Sequence, residues 1–593
     1  MAGENRSRQL LFGGRLARPF LLLLPALALM LPVYGYPMLD LVRQSFDAPN
    51  WSFKYYIEVF EDPAFGPVMS RTFLITTQVT MLCVVIGYPI AYAMLHMSER
   101  GRRFVILAVV LPLWTSALVR SFAWITILGQ EGALNQVLRG LGLIDQPVQF
   151  LYTRFAVLIG FVHVLLPFFV FPLYSVMTRL DLRLVDAACS LGASPMRAFF
   201  GVFFPLSLPG VAGGALLIFI PTLGYLITPA LLGGLKEITY VMLIERQVNS
   251  ALDWNLAAAM SLVLLMFTVV LVMVFGNLLG FSAGDPGQAK AMNAPWLGRI
   301  AVWLATLWAR RSTRWARADA KIERRGPKRD LAPFLRVYVG ILLVFLLFPL
   351  LILLPMSLGK APYLEFPPSG LSLRWFETYL SRRDWMGPTV TSFQVALATM
   401  IAATSVGTLA AIGLSRAKFR GSNFCLSFLM SPLVVPHLII AVGLYFQFAP
   451  LKLVGTRLGL VLAHMIIAIP LVVTIVLSAL RNVDLMPEKA ARSLGAGPIL
   501  AFRKTTLVMI RPSLVSSALF AFLASFDDVI MALFLSGTSV FTLPKRMWDS
   551  VMLEIDPTVA AVSVVMITLS LILFFIGQWA NRGKRGLVAL THH

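Results

Sequence analysis

The sequence predicts an all-α polytopic membrane protein with about twelve transmembrane helices, arranged as two parallel six-helix repeats. Three observations carry that prediction. Hydrophobic residues make up 58% of the 593 and charged residues 13%, about half the charged share of a soluble domain. Apolar runs of about 20 residues, the length that a bilayer core about 30 Å thick requires, alternate with short charged loops. One loop sequence also occurs twice, in equivalent positions of the two halves.

In chain order, the first six spans are expected near residues 19–37, 72–96, 104–128, 156–178, 202–230 and 256–280. Six more are expected near 333–357, 390–414, 424–447, 457–480, 508–535 and 558–580. The first run follows Arg6, Arg8, Arg15 and Arg18 as a signal peptide would. It is long for such a segment and no small-residue cleavage site follows, so it reads as a retained span.

Lys and Arg collect on the cytoplasmic side of inserted proteins. Placing both termini there puts most of the 50 Lys and Arg in cytoplasmic segments. The clearest markers are Arg100, Arg102 and Arg103; Arg416, Lys418 and Arg420; and Arg582, Lys584 and Arg585. The net charge of +22 therefore reports orientation in a bacterial inner (plasma) membrane, with lipid as the surrounding partner. It is scattered over loops with no aromatic-interleaved basic domain, which argues against nucleic acid.

Cys83, Cys189 and Cys425 are isolated and indicate neither disulfide nor metal. His163, His437 and His464 are lone residues in apolar spans without metal-ligand spacing. No catalytic constellation is present.

The chain divides into a first half, 1–280, a basic linker, 281–332, and a second half, 333–593. The linker holds Arg310, Arg311, Arg314, Arg317, Lys321, Arg324, Arg325, Lys328 and Arg329. Its Trp296, Ile300, Trp303, Leu304, Leu307 and Trp308 would share one face of an interfacial helix resting on anionic lipid. A solvated tether accounts for them equally well.

The repeated string runs from Asp186 to Pro195 (DAACSLGASP) and from Lys489 to Pro498 (KAARSLGAGP), with Gly192 and Gly495 in register. The register continues without a gap through Phe199 and Phe502, Pro209 and Pro512, Gly234 and Gly537, and Asp253 and Asp556. An even number of spans per half gives both copies the same orientation. Each copy lies between the fourth and fifth spans, near 181–198 and 484–501, as a short helix, a glycine turn and a re-entering span. The product is a protruding knob that another protein could grip.

This duplicated loop resembles the EAA loop of binding-protein-dependent ABC importer permeases. The second half resembles the smaller spermidine/putrescine permease subunit in Ser525-Phe526-Asp527-Asp528-Val529 and in the stretch from Leu543-Pro544 to Asp556-Pro557-Thr558. The first half resembles the larger subunit in Leu113 to Arg120 and in Ile227 to Gly234. The resemblance implies the ABC importer permease fold. It also implies ATPase-coupling roles for Asp186, Ala187, Ala188, Gly192, Pro195, Glu488, Ala490, Ala491, Gly495 and Pro498. It implies a cytoplasmic ABC ATPase dimer and a periplasmic or extracellular solute-binding protein as partners. The acidic position of the motif is Asp186 in the first half but Lys489 in the second, with Glu488 displaced by one residue. Pro205 is present, while its counterpart is Val508.

The chain has no P-loop, since Arg503-Lys504-Thr505 lacks the glycines. It is not expected to be an enzyme or to bind a cofactor; ATP and magnesium belong to the partner ATPase. Of the 28 acidic residues, Asp527 and Asp528 alone fall within expected spans, where an ionised carboxylate costs several kcal/mol unless hydrated or paired. They are candidates for a cationic substrate such as a polyamine, with Tyr225, Trp124 and Arg120 along the same path; position near the outer interface favours a hydrated structural or gating role over substrate contact. Two alternatives remain open. One is an ion-coupled twelve-span carrier, which leaves the duplicated loops unexplained. The other is an ABC importer of an opine, amino acid, phosphonate, thiamine or ferric iron.

Overall fold

The computed structural model describes residues 20–279, 332–416, 421–553 and 556–589. The linker expectations, Lys418 and Arg420 lie outside the described residues, as do the side chains of Arg582, Lys584 and Arg585. Regular structure among the described residues is helical, with one isolated bridge between Gly359 and Leu371.

The first half contains α1 (Leu24–Ser45), α2 (Phe65–His96), α3 (Glu99–Trp114) and α4 (Ala117–Leu128). It continues with α5 (Arg154–Met177), α6 (Arg183–Ser190), α7 (Pro195–Leu223), α8 (Ile227–Leu232) and α9 (Trp254–Leu279). The second half follows the same plan with α10 (Ala332–Ser357), α11 (Arg383–Arg416), α12 (Ser422–Leu433) and α13 (His437–Phe448). Its remaining helices are α14 (Arg457–Arg481), α15 (Met486–Ser493), α16 (Thr506–Phe526), α17 (Ile530–Leu535), α18 (Leu543–Leu553) and α19 (Thr558–Ala589). Among the described residues ten helices are long and apolar enough to cross a membrane, or up to twelve if each of two bent pairs is one span.

Those bent pairs correct the expected third and ninth spans, 104–128 and 424–447. Each is two helices meeting at about a right angle: 99° between α3 and the segment beginning with α4, 100° between α12 and α13. Proline supplies no amide to the helix and pushes its predecessor out of the helical region. Pro112 tightens the end of α3 into a 3₁₀ turn, and Thr115 and Ser116 then run extended before the Ser116 hydroxyl caps α4. Pro432 and Pro436 do the same before α13. The fifth and eleventh spans, 202–230 and 508–535, also break, after Leu223 and Phe526.

Packing nonetheless shows that each bent pair crosses the bilayer. A Cβ on Gly87 of α2 would lie 2.5 Å from the Phe169 ring of α5, and one on Gly407 of α11 would lie 2.8 Å from Val472 of α14. α7 runs opposite to α5, with Gly210 against Leu173 and Gly214 against Phe169, and opposite to α2, with Tyr88 on Ser207 and Tyr92 on Phe203, so α2 and α5 run parallel. In the second half Phe393 early in α11 and His464 early in α14 both meet the last residues of α16, Phe526 and Ser525, so α11 and α14 run parallel too. The chain between them must therefore return across the membrane. Small residues allow this close approach, because lipid offers no hydrophobic force to press helices together.

The halves exchange their first helices. α1 packs on α13 as well as α9, and α10 packs on α2, α3 and α4. The Ser431 hydroxyl donates to the Tyr34 hydroxyl at 3.0 Å, the Tyr338 hydroxyl donates to the Ile86 carbonyl at 2.8 Å, and His163 Nε2 meets the Leu346 carbonyl at 3.0 Å. At the seam, Gly224 faces Pro436: an added Cβ would lie 2.4 Å from the proline Cβ and 3.3 Å from its Cα. The proline ring cannot swing aside, so Gly224→Ala is expected to destabilise the chain by about 1–3 kcal/mol. Thermal unfolding in detergent checks this against Gly66→Ala, where the added carbon meets nothing within 4 Å.

Candidate functional site

The two repeated loops adopt the same geometry on one face of the molecule. Asp181 Oδ1 accepts the Arg183 amide at 3.0 Å at the start of α6, and Asp484 Oδ1 accepts the Met486 amide at 2.9 Å at the start of α15. Each helix ends in a left-handed glycine, Gly192 at φ 91° and Gly495 at φ 90°. The amides of Ala193 and Ala496 reach back to the carbonyls of Ala188 and Ala491, as in a Schellman cap. Pro195 and Pro498 then start the re-entering helices.

Asp186, Ala187, Ala490, Lys489, Pro195 and Pro498 are exposed, while Ala188 and Ala491 are half-buried. Leu191 is 90% and Leu494 89% exposed. The two leucines stand in solvent at the tips of two matched turns.

Glu488 departs from the expected coupling set. Its side chain is 7% exposed, bonded to Arg416 Nη2 at 2.6 Å and Arg492 Nη2 at 3.1 Å, and it accepts the Thr506 hydroxyl. It therefore faces inward, tying α15 to the end of α11 and the start of α16. At the matching joint of the first half, Tyr92, His96, Phe199 and Phe203 form an aromatic cluster with ring centroids 4.6–5.3 Å from Tyr92. One lever is latched by charge, the other by rings.

Burial alone would raise the Glu488 carboxyl, but Thr506, Arg416 and Arg492 outweigh it and hold the group below the usual glutamate range. A carboxyl lowered on folding contributes stability above its unfolded value and loses it as pH falls through the lower folded value. Arg416 and Arg492 are 32% and 47% exposed, so solvent weakens the pair. Glu488→Gln is expected to cost about 1–2 kcal/mol. The gap between parent and variant in thermal unfolding should shrink on acidification below the carboxylate range.

The second cluster lies in the interior, at the seam of the halves. Asp527 follows the last residue of α16. Its carboxylate meets the Ser116 hydroxyl and the Ala117 amide at the elbow of the opposite half, with Arg120 close enough to interact electrostatically. The seam repeats by pseudo-symmetry: Gly224 is the counterpart of Asp527 and Pro436 that of Ser116.

Arg120 is 5% exposed, and its Nε and Nη1 have no hydrogen-bond partner; nor has Asp527 Oδ1. Tyr225 completes the group, interacting with both Arg120 and Asp527 and bonded to Thr228. Trp124, one turn beyond Arg120, is 5% exposed against Phe345 and His163, a buried position rather than an interfacial anchor.

Asp528 turns away from this group. Its Oδ1 accepts the Met531 amide at 2.7 Å, capping α17, and lies 3.9 Å from His464 Nε2. His464 Nδ1 meets the Ser525 hydroxyl at 2.7 Å. Of the expected path residues, then, Asp527, Arg120 and Tyr225 come together, Trp124 flanks them, and Asp528 sits apart. Ser116 belongs to the same seam, while Ser525 and His464 accompany Asp528 within the second half; none of the three was expected at a site, because their partners lie from tens to hundreds of residues away and leave no local pattern. No group of three or more His, Cys, Asp or Glu among the described residues is placed to hold a metal ion.

The profile of binding-protein-dependent transport system inner membrane components matches residues 77–283 and again 403–586. The spermidine/putrescine transport system permease protein PotB of Haemophilus influenzae is 35% identical over 220 residues, 37% of this chain and 77% of that protein. PotB of Escherichia coli is 34% identical over 214 residues, 36% of this chain and 78% of that protein. The permease protein PotC of Haemophilus influenzae is 33% identical over 253 residues, 42% of this chain and 97% of that protein. Among solved structures, a bacterial ABC transporter involved in import of the acidic polysaccharide alginate aligns at TM-score 0.37 and 18% identity, covering 47% of this chain and 97% of that one. The chain is a multi-pass inner-membrane transport protein that belongs to the binding-protein-dependent transport system inner membrane components and matches that family twice in one polypeptide.

Proposed function

We propose that this chain supplies both permease halves of an ATP-driven importer and translocates a small cationic solute of the polyamine class, delivered by an external binding protein. The observation that carries the reading is the pair of matched, solvent-exposed loops around Gly192 and Gly495, on the same face of two like-oriented halves. A cytoplasmic ATPase dimer gripping both would pull on them together. Under this reading ATP and magnesium sit in the ATPase, the basic loops and both termini are cytoplasmic, and the opposite face receives the binding protein.

The cargo assignment rests on the interior carboxylate and on the names of the relatives. Asp527 and Arg120 belong to opposite halves, so a rocking motion that separates the halves also separates the two charges. A cationic amine is then the natural partner for the freed carboxylate, with Tyr225 adding a ring face. Arg120 would return to Asp527 once cargo has left. The ATPases and the binding protein drive this cycle by stabilising different states of the permease. An ion-coupled carrier would need neither loop.

Reconstitution with the ATPase and binding protein tests the reading. Putrescine uptake into vesicles should require internal ATP and be blocked by vanadate. Uptake driven by an ion gradient without ATP would reject it.

A further inference from the structure

Tyr240 lies on the face opposite α6 and α15, the external face in the proposed orientation, and there the two halves differ in one respect. In each half a short helix precedes the second span: Lys54–Glu61 before α2 and Arg374–Ser381 before α11. The same anchor fixes both sites. The Tyr240 amide donates to the Thr72 hydroxyl at 2.9 Å, and its counterpart, the Leu543 amide, donates to the Ser392 hydroxyl at 2.8 Å.

In the second half the space is filled from within. The Arg546 guanidinium lies 4.8 Å from the Trp385 ring centre and bonds Asp384 at 2.9 Å. Arg382 adds a second guanidinium, bonded to Asp384 at 2.7 Å and 4.0 Å from Asp556.

In the first half a ring remains, but Ala64 stands at the Asp384 position and the cations are gone. Phe65 stands at the Trp385 position, Leu243 at that of Arg546, and Asp62 at that of Arg382. What remains is a cavity of about 830 Å³, lined by Glu58, Glu61, Asp62, Phe65 and Tyr240. Tyr240 is among the lining residues, and its buried hydroxyl has no hydrogen-bond partner. Glu58, Glu61 and Asp62 make no ion pair among the described residues. Lys54, the one Lys or Arg in the lining, places its ammonium 5.1 Å from the Tyr55 ring centre.

We propose that this outer cleft of the first half binds the ammonium head of an aliphatic amine, at the place where the second half carries its own Arg546. The Phe65 face and the carboxylates receive the charge. The Tyr240 oxygen accepts one N–H, and Leu243, Leu256 and Met260 accompany the alkyl chain. A divalent metal ion fits poorly, since it would need an oxygen cage and no metal-holding group occurs among the described residues. The site is separate from Asp527 and does not depend on the cargo assignment.

The test is equilibrium binding of radiolabelled putrescine to the full chain in phosphatidylcholine nanodiscs, so that no lipid amine competes. Saturable binding is expected, reduced at least tenfold by Glu58→Gln with Glu61→Gln, and as strongly by Leu243→Arg, which gives the first half the internal cation of the second. Tyr240→Phe should weaken it about fivefold. Asp527→Asn removes only the separate contribution of the interior carboxylate and leaves the part of the binding that the cleft variants abolish. A lysine of a docked protein carries the same head group. Absent diamine binding, combined with docking of the external binding protein that these same variants weaken, assigns the ammonium to that lysine. Diamine binding and docking both unaltered in Leu243→Arg and in the glutamate pair overturn the proposal.

Discussion

Replacing Gly192 and Gly495 together by valine is expected to reduce uptake more than tenfold while leaving insertion and thermal stability of the spans close to those of the parent. Both glycines sit near φ +90° with nothing within 4 Å of an added Cβ, so the substitution meets no neighbour. Its cost is conformational: a β-branched residue pays of the order of 1–3 kcal/mol in this region. The chain escapes by abandoning the turn, which breaks the bonds from Ala193 to Ala188 and from Ala496 to Ala491. Leu191 and Leu494 then lose their matched placement. Gly497→Ala is the control, since that residue is extended rather than left-handed. The readouts are ATP-dependent uptake and ATPase co-purification; full uptake by the double variant would remove the loops from the mechanism.

Asp527→Asn is expected to lower uptake of a cationic solute at least tenfold, equivalent to about 1.4 kcal/mol or more. The substitution also strands the Arg120 charge in a buried setting, so a loss of stability could imitate a loss of transport. Adding Arg120→Gln removes the stranded charge; the double variant should regain thermal stability and still fail to transport. Asp528→Asn separates the two carboxylates further. It weakens the cap on Met531 and the approach to His464, so its effect should fall on stability without selectivity for charged cargo. Transport rescued by Arg120→Gln in the Asp527→Asn background would reduce Asp527 to a structural role.

Much of the architecture was legible because a bilayer imposes a simple demand on sequence. Long apolar runs and basic loops therefore marked the spans, and the strict register between Gly192 and Gly495 marked the repeat. The elbows at Thr115-Ser116 and Val435-Pro436 were not legible, because hydropathy is blind to a bend inside an apolar run. Pro112 and Pro436 were the available hints, though Pro89 and Pro470 lie within continuous helices.

Asp527 stood out as a carboxylate among apolar residues. Its setting against Ser116 and Arg120 depends on contacts between halves that no local pattern encodes. Glu488 was assigned to the coupling surface by its neighbourhood in the motif. The spacing from Glu488 to Arg492, four residues on a helix, was the overlooked signal that this acid serves its own chain.

The exchange of first helices bears on how the protein is made. Tyr34 is bonded to Ser431, 397 positions later in the chain. At about 5–20 residues per second, α1 waits roughly 20–80 seconds after emerging from the ribosome before the second-half surface it packs on exists. During that interval its Tyr34 hydroxyl has only lipid or the insertion machinery for company. Biogenesis should therefore lean on a chaperone that shelters an early helix, and a chain stalled before α13 should be a ready substrate for membrane proteases.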